Sequence, residues 1–190
     1  MVKYINVRGC NGSGKTTLLR LLAGSETEPK MWTIDVPDHK PIPVTWCEKQ
    51  RVILIGDYTP GATGTTAGLD RIKTQDAMKY AIKAAGTLCG GNLKAVIFEG
   101  VIVSTIYGPW HEWSKQNGGM VWCYLDTPIY VCLERIHERN GGKQINNQLV
   151  IDKFESIKRT KVKAGADGEW IETFYYKEPM KDLLNLLDRI

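Results

Sequence analysis

The sequence has no pair of cysteines spaced for a metal or a redox bridge. Cys10, Cys47, Cys89, Cys123 and Cys132 are odd in number and scattered, which excludes a zinc ribbon or a disulfide framework and reads as free thiols in a reducing compartment. No run approaches the ~20 apolar residues that a membrane span requires. The opening, Met1-Val2-Lys3-Tyr4 with glycine by position 9, lacks the apolar stretch of a secretion signal. A soluble, cytoplasmic protein without membrane contact is expected. Internal repeats, low-complexity tracts and linker-like stretches are also missing, so residues 1–190 read as one domain. With 43% hydrophobic residues the chain can build a core without covalent staples. The formal charge of +4, from 25 Lys and Arg against 21 Asp and Glu, is compatible with a polyanionic partner without requiring one.

What is present alternates between strand-like and helix-like segments. Residues 4–7 form a short β-type run, followed by a glycine-rich stretch and by Thr17-Leu18-Leu19-Arg20-Leu21-Leu22-Ala23, a helical run ended by Gly24. Between 31 and 57 β-branched and aromatic residues are broken by Pro37, Pro41 and Pro43, and segments 44–47 and 51–55 suggest a β-hairpin. Residues 58–69 make a long Gly/Thr loop of the kind that is usually functional. Thr74 is suited to cap a helix running to about Leu88, with Ala77, Tyr80, Ala81 and Ala84 on one face. Residues 95–98 are continuously apolar, as in a strand covered on both faces. After a loop and an aromatic helix, 120–125 is a second buried strand, and Asp126-Thr127-Pro128 opens a helix that Asn140-Gly141-Gly142 ends. A helix over 149–164, a strand over 170–176 and a final helix with Met180, Leu183, Leu184 and Leu187 along one stripe complete the chain. The order predicts an α/β fold with a mainly parallel sheet flanked by helices and a β-hairpin insertion.

Gly9-Cys10-Asn11-Gly12-Ser13-Gly14-Lys15-Thr16 matches G-x-x-x-x-G-K-[ST] in full, after a strand and before a helix, the context a phosphate loop requires. It makes the fold a P-loop NTPase fold of the nucleoside/nucleotide kinase type. Gly9, Asn11, Gly12, Ser13, Gly14, Lys15, Thr16 and Thr17 are the expected nucleotide contacts. Their N–H groups would turn on the phosphates, with Lys15 as a point charge between the β- and γ-phosphates and the Thr16 hydroxyl on Mg²⁺. ATP and Mg²⁺ are thereby implied. Glu99, at the end of a buried strand, reads as a metal ligand through water or as an orienter of the attacking group, against a plain surface carboxylate. Transfer to a hydroxyl calls for a carboxylate within hydrogen-bond reach. Asp57 and Asp70, which bracket the Gly/Thr loop, are the candidates for that base, although each also fits a turn.

Arg135 and Arg139 share one face of a helix that leads to Gly141, Gly142 and Lys143, and read as catalytic cations of a lid-like segment over about 135–148. Local pairing with Glu134 and Glu138 is the competing reading. Asp126 and Thr127 read as helix caps. Thr63, Thr65 and Thr66 either bind substrate or cap turns, while Tyr107, Trp110, His111 and Trp113 either stack on a base or fill the core. Arg71, Lys73, Lys143, Lys153, Lys158, Arg159, Lys161 and Lys163 either line a path for a polymer or coat solvated helices.

Taken together, five segments resemble a family of small P-loop kinases of DNA bacteriophages that includes the 5-hydroxymethyluracil DNA kinases. They are Ile5-Asn6-Val7-Arg8-Gly9, Gly56-Asp57-Tyr58, Gly68-Leu69-Asp70-Arg71-Ile72-Lys73-Thr74-Gln75-Asp76, Phe98-Glu99-Gly100-Val101-Ile102-Val103-Ser104, and Leu125-Asp126-Thr127-Pro128 leading to Arg135. The resemblance implies transfer of the ATP γ-phosphate to the hydroxymethyl oxygen of a modified uracil already in DNA, in the cytoplasm of an infected host cell. It implies DNA containing a modified thymine-type base as the partner, and favours Asp70 over Asp57 as base. A kinase of free deoxynucleosides or deoxynucleoside monophosphates would use the same ATP site. A P-loop switch protein would need a water-positioning residue, for which the sequence offers no clear candidate.

Overall fold

The structure is a computed structural model that describes residues 2–26, 29–59, 68–141, 143 and 146–190. Seven strands form one sheet in the order β2-β3-β4-β5-β1-β6-β7. They are β1 (Lys3–Arg8), β2 (Lys30–Ile34), β3 (Ile42–Cys47), β4 (Val52–Ile55), β5 (Ala95–Glu99), β6 (Met120–Leu125) and β7 (Trp170–Phe174). β4, β5, β1, β6 and β7 run parallel, while β2 and β3 add an antiparallel edge. The helices are α1 (Lys15–Gly24), α2 (Gln75–Ala85), α3 (Val101–Thr105), α4 (Gly108–Gln116), α5 (Ile129–Arg139), α6 (Asn147–Ala166) and α7 (Pro179–Arg189).

Alternation along the strands divides the core in two. Ile5 and Val7 of β1, with Ala95 and Ile97 of β5, face α1 and α7, which contribute Leu18, Leu19, Leu22, Leu183, Leu186 and Leu187. Val96, Phe98, Trp122 and Tyr124 point to the other face, against α2, α4 and α6. Both faces are covered, so the central strands read as unbroken apolar runs. In register, Val7 lies beside Glu99 and Arg8 beside Tyr124. The carboxyl ends of β1, β5 and β6 therefore finish side by side, and the loops that leave them share one crevice.

The expected hairpin is β3–β4, but β2 joins it as a third strand, with Trp32 stacked on Trp46 at 5.9 Å. Thr74 caps α2 as expected, its hydroxyl accepting from the Ala77 N–H at 3.2 Å. Tyr80, however, is exposed; Ala77, Met78, Ala81, Ile82 and Ala85 form the buried face. α1 begins at Lys15 instead of Thr17, because the phosphate loop itself forms the helix start. The aromatic segment becomes α3 and α4. Trp110, His111 and Trp113 are buried there, which settles them as core. His111 Nδ1 pairs with Glu169 Oε1 at 2.6 Å and fastens α4 to the turn between α6 and β7. Residues 60–67, with Thr63, Thr65 and Thr66, and Gly142 of the lid-like segment lie outside the described residues.

Candidate active site

The stretch between β1 and α1 turns so tightly that glycine is required at two positions. Gly12 has φ 77° and Gly14 φ 98°, and a Cβ on Gly12 would run into the Cys132 carbonyl oxygen of α5. The N–H groups of Asn11, Gly12 and Gly14 have no acceptor among the described residues. Donors left open at a helix start favour an anion, which fits phosphate in this cradle. Lys15 is buried beneath the loop, its ammonium donating to the carbonyls of Gly9 at 2.8 Å and Cys10 at 3.0 Å. Thr17 is exposed on the first turn of α1. On the floor of the loop the Cys10 thiol donates to the Asn11 carbonyl at 3.3 Å and the Cys132 thiol to the Thr127 carbonyl at 3.8 Å, and the neighbouring Cys132 side chain holds Cys10 below the ordinary cysteine range against the effect of burial.

Glu99, buried at the end of β5, accepts a hydrogen bond from the Thr16 hydroxyl at 2.8 Å on Oε1, with the Tyr58 hydroxyl at 3.3 Å from the same oxygen. Burial, with Glu99 beside it, raises the Tyr58 phenol well above its ordinary range, so Tyr58 stays a neutral donor. Thr16 and Glu99 are the residues that could hold a Mg²⁺ here, through the hydroxyl and the carboxylate that face each other. Among the described residues no cluster of three His, Cys, Asp or Glu could hold a metal without such help.

Asp70 lies one loop away. Its carboxylate accepts from the N–H groups of Val101 (2.7 Å, Oδ2) and Ile102 (2.9 Å, Oδ1), fastening it to the start of α3 two residues beyond Glu99. Gly68, at φ +75°, lets the same segment lie against Glu99; a Cβ there would meet Glu99 Oε1 at 2.7 Å. Asp57 follows β4, and its Oδ1 accepts from the Thr59 N–H at 3.1 Å and hydroxyl at 2.6 Å. Partial burial lowers the Arg71 guanidinium's pKa and the nearby Asp57 charge opposes that, so the two groups are neighbours. Thr16, Glu99, Asp57 and Asp70 thus converge on the carboxyl ends of β4 and β5.

On the opposite side of the loop, Arg135 of α5 donates through Nη1 to the Gly12 carbonyl at 3.3 Å. Arg139, one turn on, is exposed. Among the described residues no ion pair joins Glu134 or Glu138 to either arginine. Lys153 of α6 reaches Asn11 Oδ1 with its ammonium at 3.5 Å.

A model of the family described as 5-hmdU DNA kinase matches residues 2–166. The chain belongs to that family. It is 55% identical, over all 190 residues and the whole of the relative, to the 5-hmdU DNA kinase of Pseudomonas phage M6. It is 33% identical to 5-hmdU DNA kinase 1 of Salmonella phage ViI over 153 residues, which are 80% of this chain and 66% of that one. The fold also resembles a gluconokinase from Sinorhizobium meliloti 1021, with a TM-score of 0.50 at 18% identity over 98% of this chain and 92% of that one. The chain is thus a phosphate-transferring enzyme with a P-loop kinase fold.

In this member of the 5-hmdU DNA kinase family, sequence reasoning misses the residues that brace the phosphate loop. The Thr127 hydroxyl does not cap α5; it is buried and donates to the Ser13 carbonyl at 2.7 Å. Asp126 does not cap it either, and accepts instead from the Tyr176 N–H at 2.7 Å. Ser104 accepts from the Gly9 N–H at 3.3 Å. A buried neutral hydrogen bond is worth about 1 kcal/mol, and an unpaired carbonyl costs somewhat more, so Thr127→Val should destabilise the protein by roughly 1–3 kcal/mol. Thermal unfolding beside wild type reads this directly, and the loss of ATP-analogue affinity should accompany it. Of the basic residues, Lys158 is paired with Glu155 at 3.4 Å and Lys161 with the Thr173 hydroxyl at 2.6 Å, whereas Arg159 and Lys163 are exposed.

Proposed function

We propose that this chain transfers the γ-phosphate of ATP to the 5-hydroxymethyl oxygen of 5-hydroxymethyluracil within DNA, its relatives' names supplying the acceptor. The observation that carries the chemistry is the anchoring of a carboxylate, Asp70, on the amides of Val101 and Ile102, two and three residues along the chain from Glu99 of the Thr16–Glu99 pair. The hydroxymethyl oxygen bonds to the γ-phosphorus, the bond from that phosphorus to the β-bridging oxygen breaks, ADP leaves, and the hydroxyl proton passes to the carboxylate. Lys15 swings from the loop carbonyls onto the phosphates, and Arg135 and Arg139 close over them with the lid-like segment of about 135–148. Mg²⁺, held by Thr16 and through Glu99, supplies positive charge against the shifting phosphate oxygens when bound. A base within a duplex cannot reach such a crevice, so the acceptor is single-stranded or flipped out of the stack. Arg71, Lys73, Arg159 and Lys163 then hold its phosphates.

The test uses ATP labelled on the γ-phosphate with three acceptors: DNA containing 5-hydroxymethyluracil, unmodified DNA, and free deoxynucleosides and monophosphates. Label on the first alone is the expected result. Label on the free nucleotides and none on the modified DNA would overturn the polymer acceptor while leaving the phosphate-loop chemistry standing.

A further inference from the structure

Arg8, the last residue of β1, is fully buried immediately before the phosphate loop. Its Nη2 donates to the carbonyls of Val103 at 2.5 Å and Ile106 at 2.6 Å, at the carboxyl end of α3. The guanidinium lies over the ring of Trp122 at 4.4 Å and near that of Tyr124 at 5.7 Å. No carboxylate pairs with it among the described residues, and Nε and Nη1 find no partner. Burial lowers its pKa to about 10, so it keeps its proton at neutral pH. A buried cation without a carboxylate partner is costly for stability alone, and an apolar residue would fill the space between Trp122 and α3 more cheaply. Its retention calls for a task that depends on the fork of donors.

The geometry around α3 supplies that task. Its amino end is held by Asp70, through the N–H groups of Val101 and Ile102. Its carboxyl end is held by Arg8, and between them the Ser104 hydroxyl takes the Gly9 N–H at the first residue of the phosphate loop and donates back to the Gly100 carbonyl. On its outer side α6 adds the Ser156 hydroxyl on the Thr105 carbonyl and the Thr160 hydroxyl on the Ser104 carbonyl, both at 3.4 Å. α3 is one and a half turns long, too short to persist without such ties. It is a rigid strut only while both ends are gripped.

We propose that Arg8 is a positioning residue which, through α3, fixes the phosphate loop relative to the Asp70 carboxylate, so that filling the loop stiffens the acceptor side. The use of this coupling in transfer rests on Asp70 facing the acceptor, but the coupling itself does not. Hydrogen exchange of the Val101 and Ile102 amides, with and without a non-hydrolysable ATP analogue, reads it without any acceptor. In wild type the analogue should slow both amides by about fivefold or more. In Arg8→Lys, which keeps the charge and loses the fork, and in Ser104→Ala, that protection should disappear even with the analogue at saturating concentration. Protection that persists in a folded variant, or is missing in wild type, overturns the proposal. Should Arg8→Lys fail to fold, Ser104→Ala decides alone. A second measurement separates positioning from general damage. With modified DNA as acceptor, Arg8→Lys should lower kcat for transfer by about tenfold more than it lowers slow hydrolysis of ATP by water. Equal losses in the two would assign Arg8 a structural role only. Failure of wild type to label modified DNA would defeat the acceptor reading and leave the exchange result to judge the strut.

Discussion

Replacing Lys15 by alanine should lower phosphate transfer on the order of a thousandfold or more, because it removes the buried ammonium that sits on the phosphate loop's own carbonyls. The geometry explains why no neighbour substitutes. Lys15 is buried and its ammonium sits on the Gly9 and Cys10 carbonyls, within the ring of backbone that surrounds the phosphates. Arg135 donates to the outer carbonyl of Gly12, and Lys153 to the Asn11 side chain. Neither reaches the interior without displacing the loop. Truncation also leaves two carbonyls without a donor, so affinity for ATP should fall alongside kcat. Single-turnover transfer at saturating ATP separates the two losses. A Lys15→Ala protein that retains more than about a tenth of wild-type single-turnover rate would remove the phosphate loop from the chemistry.

What the sequence showed depended on how far apart the interacting residues lie along it. The phosphate loop was legible because its glycines, lysine and threonine act within eight residues of one another, and each is demanded by local geometry. The mainly parallel sheet flanked by helices followed from apolar runs that only a sheet covered on both faces tolerates. The braces of the loop were not legible. Thr127 meets Ser13 across 114 positions, and Ser104 meets Gly9 across 95, so nothing in the local pattern around either hydroxyl distinguishes it from a cap or a turn. The aromatic cluster stayed open between two readings for a different reason. Trp110 and Trp113 have the same three-residue spacing whether their rings face a ligand or the core, and only the packing of Phe98 against Trp110 at 5.6 Å decides it. β2 was obscured by the prolines that follow it, which mark the loop between β2 and β3 and leave the edge strand itself free to pair. Arg8 stood out only as part of a familiar motif. Its work became visible once α3 closed over it.

Asp70 is expected to be required for transfer, with a loss of about a hundredfold to ten-thousandfold in kcat on removing its carboxylate, the range of a positioned general base. The same carboxylate also caps α3, so a simple loss of activity in Asp70→Asn has two explanations. Asparagine carries one acceptor oxygen where aspartate carries two, and one of the Val101 and Ile102 N–H groups would lose its partner. The size of the loss separates them. Asparagine keeps one of the two hydrogen bonds but cannot take a proton from an attacking hydroxyl. If the carboxylate is the base, Asp70→Asn should stay folded, bind ATP normally and lose transfer by that full factor. If it is only a brace for α3, Asp70→Asn should lose about 1 kcal/mol of stability and keep most of the activity. In that event the base is Asp57, whose Oδ2 takes no part in the bonds from Thr59, and Asp57→Asn should be the inactive protein. The two aspartates stand at opposite ends of the loop that follows β4, one anchored by helix amides and the other held by Thr59. Measuring transfer in Asp70→Asn and Asp57→Asn side by side therefore yields opposite patterns for the two assignments.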